Sequence, residues 1–298
     1  MRESEAERLI EEAYAAWDAQ DWQVAAGHLE RVLAHHPDAP KSPVWWYDAA
    51  LAHKFLRNWA KAYELGREAA ARAPRGEGDP AYWNLGIAAT IQRDWATARR
   101  AWAGFGIPVP DGDGEINGRF GAACVRLDTG GEREVVWIDR LCPTRGRVMN
   151  VPGSAGRRFG EVVVHDGEPK GRRVVDGREY PVFDELLLFE SSDLPTLTVT
   201  VHAAEAADVE ALADLFSGHD YGAEPASSFE LLCACCSEGT VERERGTHAG
   251  VRQVLLAAPE AEARRLLEGR REHARAELER TGGRRLSGPS GLSVSDAN

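Results

Sequence analysis

Residues Trp45 to Pro74 read WWYDAALAHKFLRNWAKAYELGREAAARAP. The stretch is rich in Ala and Trp, has no internal proline and ends on one. Its second half, NWAKAYELGREAAARAP (58–74), has a counterpart on each side: DWQVAAGHLERVLAHHP (21–37) and DWATARRAWAGFGIPVP (94–110). Each has a Trp as its second residue, at 22, 59 and 95. An Ala follows three residues later, at 25, 62 and 98, and each closes on a proline, Pro37, Pro74 or Pro110. The steps between the Trp residues are 37 and 36. A fixed period of this size predicts stacked helical hairpins, each too small to bury its apolar face alone. Three copies are expected, at about residues 5–38, 43–75 and 79–111.

Within a copy the pattern is helix A, a short turn, then helix B. In the third copy Tyr82, Leu85, Gly86 and Ala89 share one helical face. Ala98 lets helix B approach closely, and Trp102, one turn later, covers the same face. Pro110 ends the helix because it has no N–H to donate. The equivalent set is Trp46, Ala49, Ala50, His53, Trp59, Ala62 and Pro74 in the second copy, and Leu9, Ala13, Ala16, Trp22, Ala25, Leu29 and Pro37 in the first. This pattern resembles the tetratricopeptide repeat family: Tyr82, Leu85-Gly86, Ala98, Trp102 and Pro110 fit its aromatic, Leu-Gly, small, aromatic and proline positions. Ala49-Ala50 and Ala13 fit more loosely, and the period exceeds the family's 34 residues. The resemblance covers residues 5–111, about the N-terminal third.

The resemblance implies a concave groove, lined by helix A residues, that binds segments of a partner protein. The positions it points to are Tyr14, Trp17 and Asp18; Tyr47, Asp48 and Lys54; and Trp83, Asn84 and Ile87. Tyr47 and Trp83, each one residue past a core aromatic position, are the expected anchors, whereas Trp46, Tyr82 and Trp102 are expected in the core. Some family members clamp a peptide's terminal carboxylate with several Lys, Arg and Asn residues. Only Lys54 and Asn84 match that set here, so that specificity is not expected.

Composition narrows the function classes. The 298 residues carry a net charge of −12, which argues against general nucleic-acid binding. There is no apolar run long enough to span a bilayer. The start, MRESEAERLIEEAY, is acidic and amphipathic, unlike a signal peptide. Five Cys residues (124, 142, 233, 235 and 236) are few, odd in number and unevenly spread, so reduced thiols in a cytoplasmic protein are expected. Eight of the nine Trp residues lie at or before Trp102, and the turn-rich IPVPDGDGEING (107–118) then marks a boundary.

Beyond it, residues 112–280 read as a mixed α+β domain. Short β-branched runs from Ala122 to Glu190, separated by Gly-rich turns, predict a small twisted sheet or barrel. PTLTVTVHA, EAADVEALADLFSGHDYG and SFELLCACC read strand, helix, strand. VRQVLLAAP and EAEARRLLEGRREHARAELER repeat the strand–helix order, so a ferredoxin-like sandwich is expected. The fold class is α+β, with all-α repeats leading. The polar, Gly/Ser-rich tail 281–298 is expected to be disordered.

Candidate chemistry is sparse. Cys233 and Cys236 have the spacing of one side of a tetrahedral zinc site, which His219, His248, Cys124 or Cys142 would complete. Against zinc, no second such pair exists, and Cys233 and Cys235 suit alternate positions of a buried strand. His219, Asp220 and Tyr221 read as a solvated loop. The charged stretch His165–Arg173, with Arg157 and Arg158, reads as a solvated face. There is no phosphate-binding loop, zinc-protease helix or nucleophile elbow. The expected function is therefore non-enzymatic protein binding. Chains of this make-up resemble bacterial immunity proteins that neutralise a toxin, and an acidic chain suits a basic toxin domain. The alternatives are a cytosolic assembly adaptor or chaperone, and an enzyme of unrecognised type with a repeat targeting module.

Overall fold

The computed structural model describes residues 1–128, 134–175, 177–203, 206–226, 238–240, 250–280 and 293–294. The chain divides into two compact units, Met1–Phe120 with Leu141–Arg145, and Gly121–Arg140 with Gly146–Asn298.

The first unit is three helical hairpins in succession: α1 (Glu3–Asp18) with α2 (Trp22–Leu33), α3 (Ser42–Phe55) with α4 (Trp59–Arg72), and α5 (Pro80–Ile91) with α6 (Trp95–Phe105). Each repeated Trp is the first residue of a B helix. The residue before it caps that helix: the side chains of Asp21, Asn58 and Asp94 accept from the backbone N–H groups of Val24, Lys61 and Thr97. These bonds satisfy donors that a helix start leaves open. The residue one earlier is left-handed in every copy, at φ 57° for Gln20, 54° for Arg57 and 57° for Arg93. The A-to-B turn is thus one device used three times.

Small residues set the hairpin spacing. Ala25, Ala62 and Ala98 are buried. Trp102 is fully buried, and its ring lies over Gly86 where any Cβ would collide with it; Gly104 faces the Tyr82 ring in the same way. The first two hairpins share a core of Leu9, Ala13, Leu29, Leu33, Trp45 and Ala49, with Leu65 reaching in from α4. The core place expected for Trp46 is filled by Trp45, which is 8% exposed. Trp46 is half-buried because its indole N–H needs an acceptor, and it finds one in the Pro37 carbonyl at 3.1 Å. After α6, buried Arg145 bonds the Glu115 carboxylate, the Ile116 carbonyl and the Asn117 side chain and stacks on Trp95, fixing the segment that leaves the last hairpin.

The second unit has two sheets. Strands β1 (Ala122–Arg126), β2 (Val135–Cys142), β3 (Arg145–Val148), β4 (Val162–His165), β5 (Gly171–Val175) and β6 (Arg178–Glu190) belong to the first, with β9 (Glu238–Thr240) at its edge. The order β1-β2-β3-β4-β6 closes through a parallel β6–β1 pairing, Val125 opposite Phe183, so these five strands form a barrel. Its interior is Ala123, Val125, Leu127, Val136, Ile138, Val148, Val163 and Phe183.

The second sheet comprises β7 (Thr196–Ala203), β8 (Gly222–Pro225), β10 (Gly250–Ala257) and β11 (Ser293–Val294), in the order β11-β7-β10-β8 with antiparallel neighbours throughout. Helix α7 (Ala206–Ser217) joins β7 to β8, and α8 (Glu260–Arg280) follows β10. Leu212 and Phe216 of α7 and Leu266 and Leu267 of α8 pack with Val199, Val254 and Leu256. Order and connections are those of a split βαβ, or ferredoxin-like, sandwich. Its second strand is Gly222–Pro225; SFELLCACC, the expected strand, lies outside the described residues. Within the tail expected to be disordered, Ser293–Val294 pairs with β7, and the rest of 281–298 lies outside the described residues.

Candidate binding surface

The A helices meet one another as well as their own B partners: α3 contacts α5, and side-chain bonds cross both junctions. The Tyr14 hydroxyl donates to Asp48 Oδ2 at 2.7 Å, and Lys54 Nζ donates to Asn84 Oδ1 at 3.2 Å. Four of the nine sequence-predicted groove residues are therefore paired across the hairpin junctions. Burial first, then the bond to Asp48, raises the Tyr14 hydroxyl above its ordinary range. Burial also raises Asp48, against the opposing pull of the Tyr14 bond. The two share a half-buried, strongly bonded contact that fixes the spacing of the first two A helices. Beneath them, His53 and Lys61 both reach Glu30, at 2.7 and 3.4 Å. The His53 bond, more than any other influence, keeps the Glu30 carboxylate below its ordinary range.

The other five predicted positions divide. Ile87 is fully buried, and Trp83 packs edge-on against Trp102 and Phe105, with its indole nitrogen buried. Ile87 belongs to the packing of the third hairpin, whereas Trp83 is half-buried against its rim. Tyr47 is half-buried, and Asp18 is exposed. Trp17 belongs to an aromatic cluster that sequence reasoning missed. Its ring lies 5.1 Å from Trp22 and 6.1 Å from Phe55, and Trp22 and Phe55 are 4.6 Å apart.

Phe55 is 45% exposed, at the last position of α3, and Val24 on α2 is 42% exposed. Asp18 and the cap Asp21, both exposed, flank the tryptophans in sequence. The result is an apolar, aromatic face with an acidic border at the turn end of the first two hairpins. Its signal was present in the period: Phe55 lies four residues before Trp59, as Asp18 does before Trp22 and Ile91 before Trp95.

The second unit buries charge where a solvated face was expected. Arg157 donates to Glu161 at 2.8 Å and, through both terminal nitrogens, to Glu185 at 2.7 and 2.8 Å. All three are nearly inaccessible, with side-chain exposures of 10%, 2% and 3%. Burial alone would favour a neutral guanidinium; the two carboxylates outweigh it. His165 is fully buried, stacked 4.5 Å from Phe183, and burial lowers it to about 4. Arg173 is buried as well. His165 on β4 and Arg173 on β5 are buried along the long β6 strand, with which both strands pair.

A second carboxylate group holds the loop after β3. Glu134 accepts from the backbone N–H groups of Gly153 and Ser154, both at 2.9 Å, and Glu224 on β8 bonds the backbone of Val151. Burial first, then the Glu134 charge, raises Glu224 to about 7.

Cys124 and Cys142 are buried and reduced. Burial pushes the Cys124 thiol up to about 12 and raises Cys142 too, so neither is poised as a thiolate. His219 is exposed, and Tyr221 packs against the sandwich core. Cys233, Cys235, Cys236 and His248, the remaining residues of the zinc reading, lie outside the described residues. Among the described residues no three His, Cys, Asp or Glu side chains group as metal ligands, and no helix is long and apolar enough to cross a membrane. Compared with known proteins, the chain matches no family model, no curated protein and no solved structure.

Proposed function

We propose that the three helical hairpins are a tetratricopeptide-type module that binds a partner protein, and that the chain acts by this binding and not by catalysis. The observation that carries the reading is the aromatic face made by exposed Phe55 on half-buried Trp17 and Trp22. Aromatic side chains supply large contact area for little lost rotamer freedom and dominate interface energetics. A ring left 45% exposed while packed edge-on to Trp17 and tilted against Trp22 is held in place without being used up by the core.

The acidic border and the net charge of −12 support a basic partner, since complementary charge speeds encounter. A basic toxin domain, neutralised in the cytoplasm by this chain, is the partner class this reading favours. The test places a photo-activatable cross-linking residue at position 55 in the native cell, and in parallel at Leu188, which is 43% exposed in the second unit. A basic protein cross-linked from position 55 and absent from position 188 supports the proposal. Equal products from both positions, or none from position 55, refute it.

A further inference from the structure

A trough of about 330 Å³ opens on the first unit where α4 and α6 meet, with Tyr82 and Leu85 of α5 between them. Its floor is apolar, with Ala70, Leu85 and Ala101, and its rim carries Arg67, Arg75 and Arg100. None of the three guanidiniums forms a salt bridge among the described residues. Each is held by a neutral group instead. Arg67 lies over the Tyr63 ring at 5.9 Å, Arg75 lies over the Tyr82 ring at 5.6 Å, and Arg100 Nη2 donates to Thr97 Oγ1 at 2.7 Å.

The nearby carboxylates are engaged elsewhere. Glu64 pairs with Lys61 at 3.2 Å and Glu68 with Arg72 at 2.7 Å. Asp94 faces Arg100 but takes the Tyr63 hydroxyl at 2.6 Å and both the N–H and hydroxyl of Thr97. The Tyr63 bond first, then the Thr97 backbone bond, hold it at about 2. In a chain with 48 acidic and 36 basic residues, three arginines around one apolar trough are a local reversal of sign.

We infer that this trough binds an acidic, apolar-containing peptide segment of a partner protein, with carboxylates on the arginine rim and apolar side chains on the alanine floor. Arginine offers a planar fork suited to carboxylates, and stacking on tyrosine orients that fork before any ligand arrives. The three guanidiniums come from separate elements, α4, the α4–α5 connection and α6, each with its own anchor. Charge is thereby spread along the rim, which suits a chain of carboxylates better than one small anion. The bland alternative is that the arginine stems merely cover alanine surface.

The site is independent of the aromatic face. The test titrates a fluorescein-labelled Glu-Leu repeat peptide, and its Lys-Leu counterpart, into the full chain at low and high salt. The Glu peptide should bind, weaken steeply with salt, and lose at least about tenfold in affinity in Arg67→Gln/Arg75→Gln/Arg100→Gln. Phe55→Ala should leave this binding unchanged. Should the triple variant fail to fold, the exposed single change Arg75→Glu gives the same reading in smaller measure. Three results would overturn the inference: equal binding by wild type and variant, no binding by wild type, or complete displacement by inorganic phosphate, which would mark a small-anion site.

Discussion

The two units spend their buried polar groups in opposite ways. In the helical unit the polar contacts lie at the junctions between hairpins: Tyr14 with Asp48, Lys54 with Asn84, Glu30 with His53. Each ties one copy to the next. In the second unit the charges among the described residues lie deep: Arg157 between Glu161 and Glu185, and Glu134 beside Glu224 of β8 on the loop after β3. A repeat can lose one junction and keep the others, because each copy contacts only its neighbours. A closed barrel cannot, since a buried charge left without its partner has no water to turn to. Substitutions should therefore act locally in the first unit and globally in the second.

The largest expected effects set that contrast up. Arg157→Met removes the common partner of Glu161 and Glu185 and leaves two buried carboxylates facing each other. The expected cost is about 3–5 kcal/mol, with amide-exchange protection lost across β1 to β6 together. Restoration by the added changes Glu161→Gln and Glu185→Gln would show that the stranded charge is the cause. Trp102→Ala empties the space over Gly86 and should cost about 3–5 kcal/mol, but with protection lost mainly in α5 and α6. If Trp102→Ala loosened the barrel as much as the third hairpin, the contrast between local and global response would fail.

Acidity sharpens the comparison, because Glu224 and His165, two groups of the second unit whose shifts fall between about 4 and 7, pull in opposite directions. Glu224 is raised from 4.5 to about 7, so the folded state holds a proton that the unfolded chain has released, and stability falls as pH rises between those values. His165 is lowered from 6.5 to about 4, so stability falls as pH drops between those values. Across the shared window the two slopes offset each other. Glu224→Gln should remove the first. Its unfolding free energy should then climb with pH up to about 6.5 and exceed the wild type at pH 8 by on the order of 2 kcal/mol. Urea unfolding followed at several pH values measures this; parallel profiles for variant and wild type would contradict it. The smallest effect is the cap: Asn58→Ala should cost about 1 kcal/mol, confined to α4.

How much of this was legible in the sequence follows from the range of the contacts. The hairpins are local, so the recurring Trp, Ala and Pro marked them directly, and the Asp or Asn before each Trp was a cap signal in plain view. The groove fared less well, because which face of helix A stays open depends on neighbouring copies. Ile87 is buried in the third hairpin and Trp83 half-buried, whereas Phe55 is left outside. The split βαβ order was readable from alternating strands and helices, but the strand at Gly222–Pro225 is too short to announce itself. The barrel's inward charges were not readable at all. Whether Arg157 faces water or Glu185 depends on a pairing across the long β6 strand that no local pattern encodes.

We propose the aromatic face around Phe55 on the first two hairpins as the partner-binding surface. The most direct test measures the dissociation constant for the protein cross-linked from position 55, against wild type, Phe55→Ala and Leu188→Ala. Phe55 is exposed, so its truncation should leave the melting temperature nearly unchanged. The account predicts that Phe55→Ala weakens binding by at least about thirtyfold, or about 2 kcal/mol, while Leu188→Ala changes it less than about threefold. Wild-type affinity in folded Phe55→Ala, or a larger loss from Leu188→Ala, would contradict it.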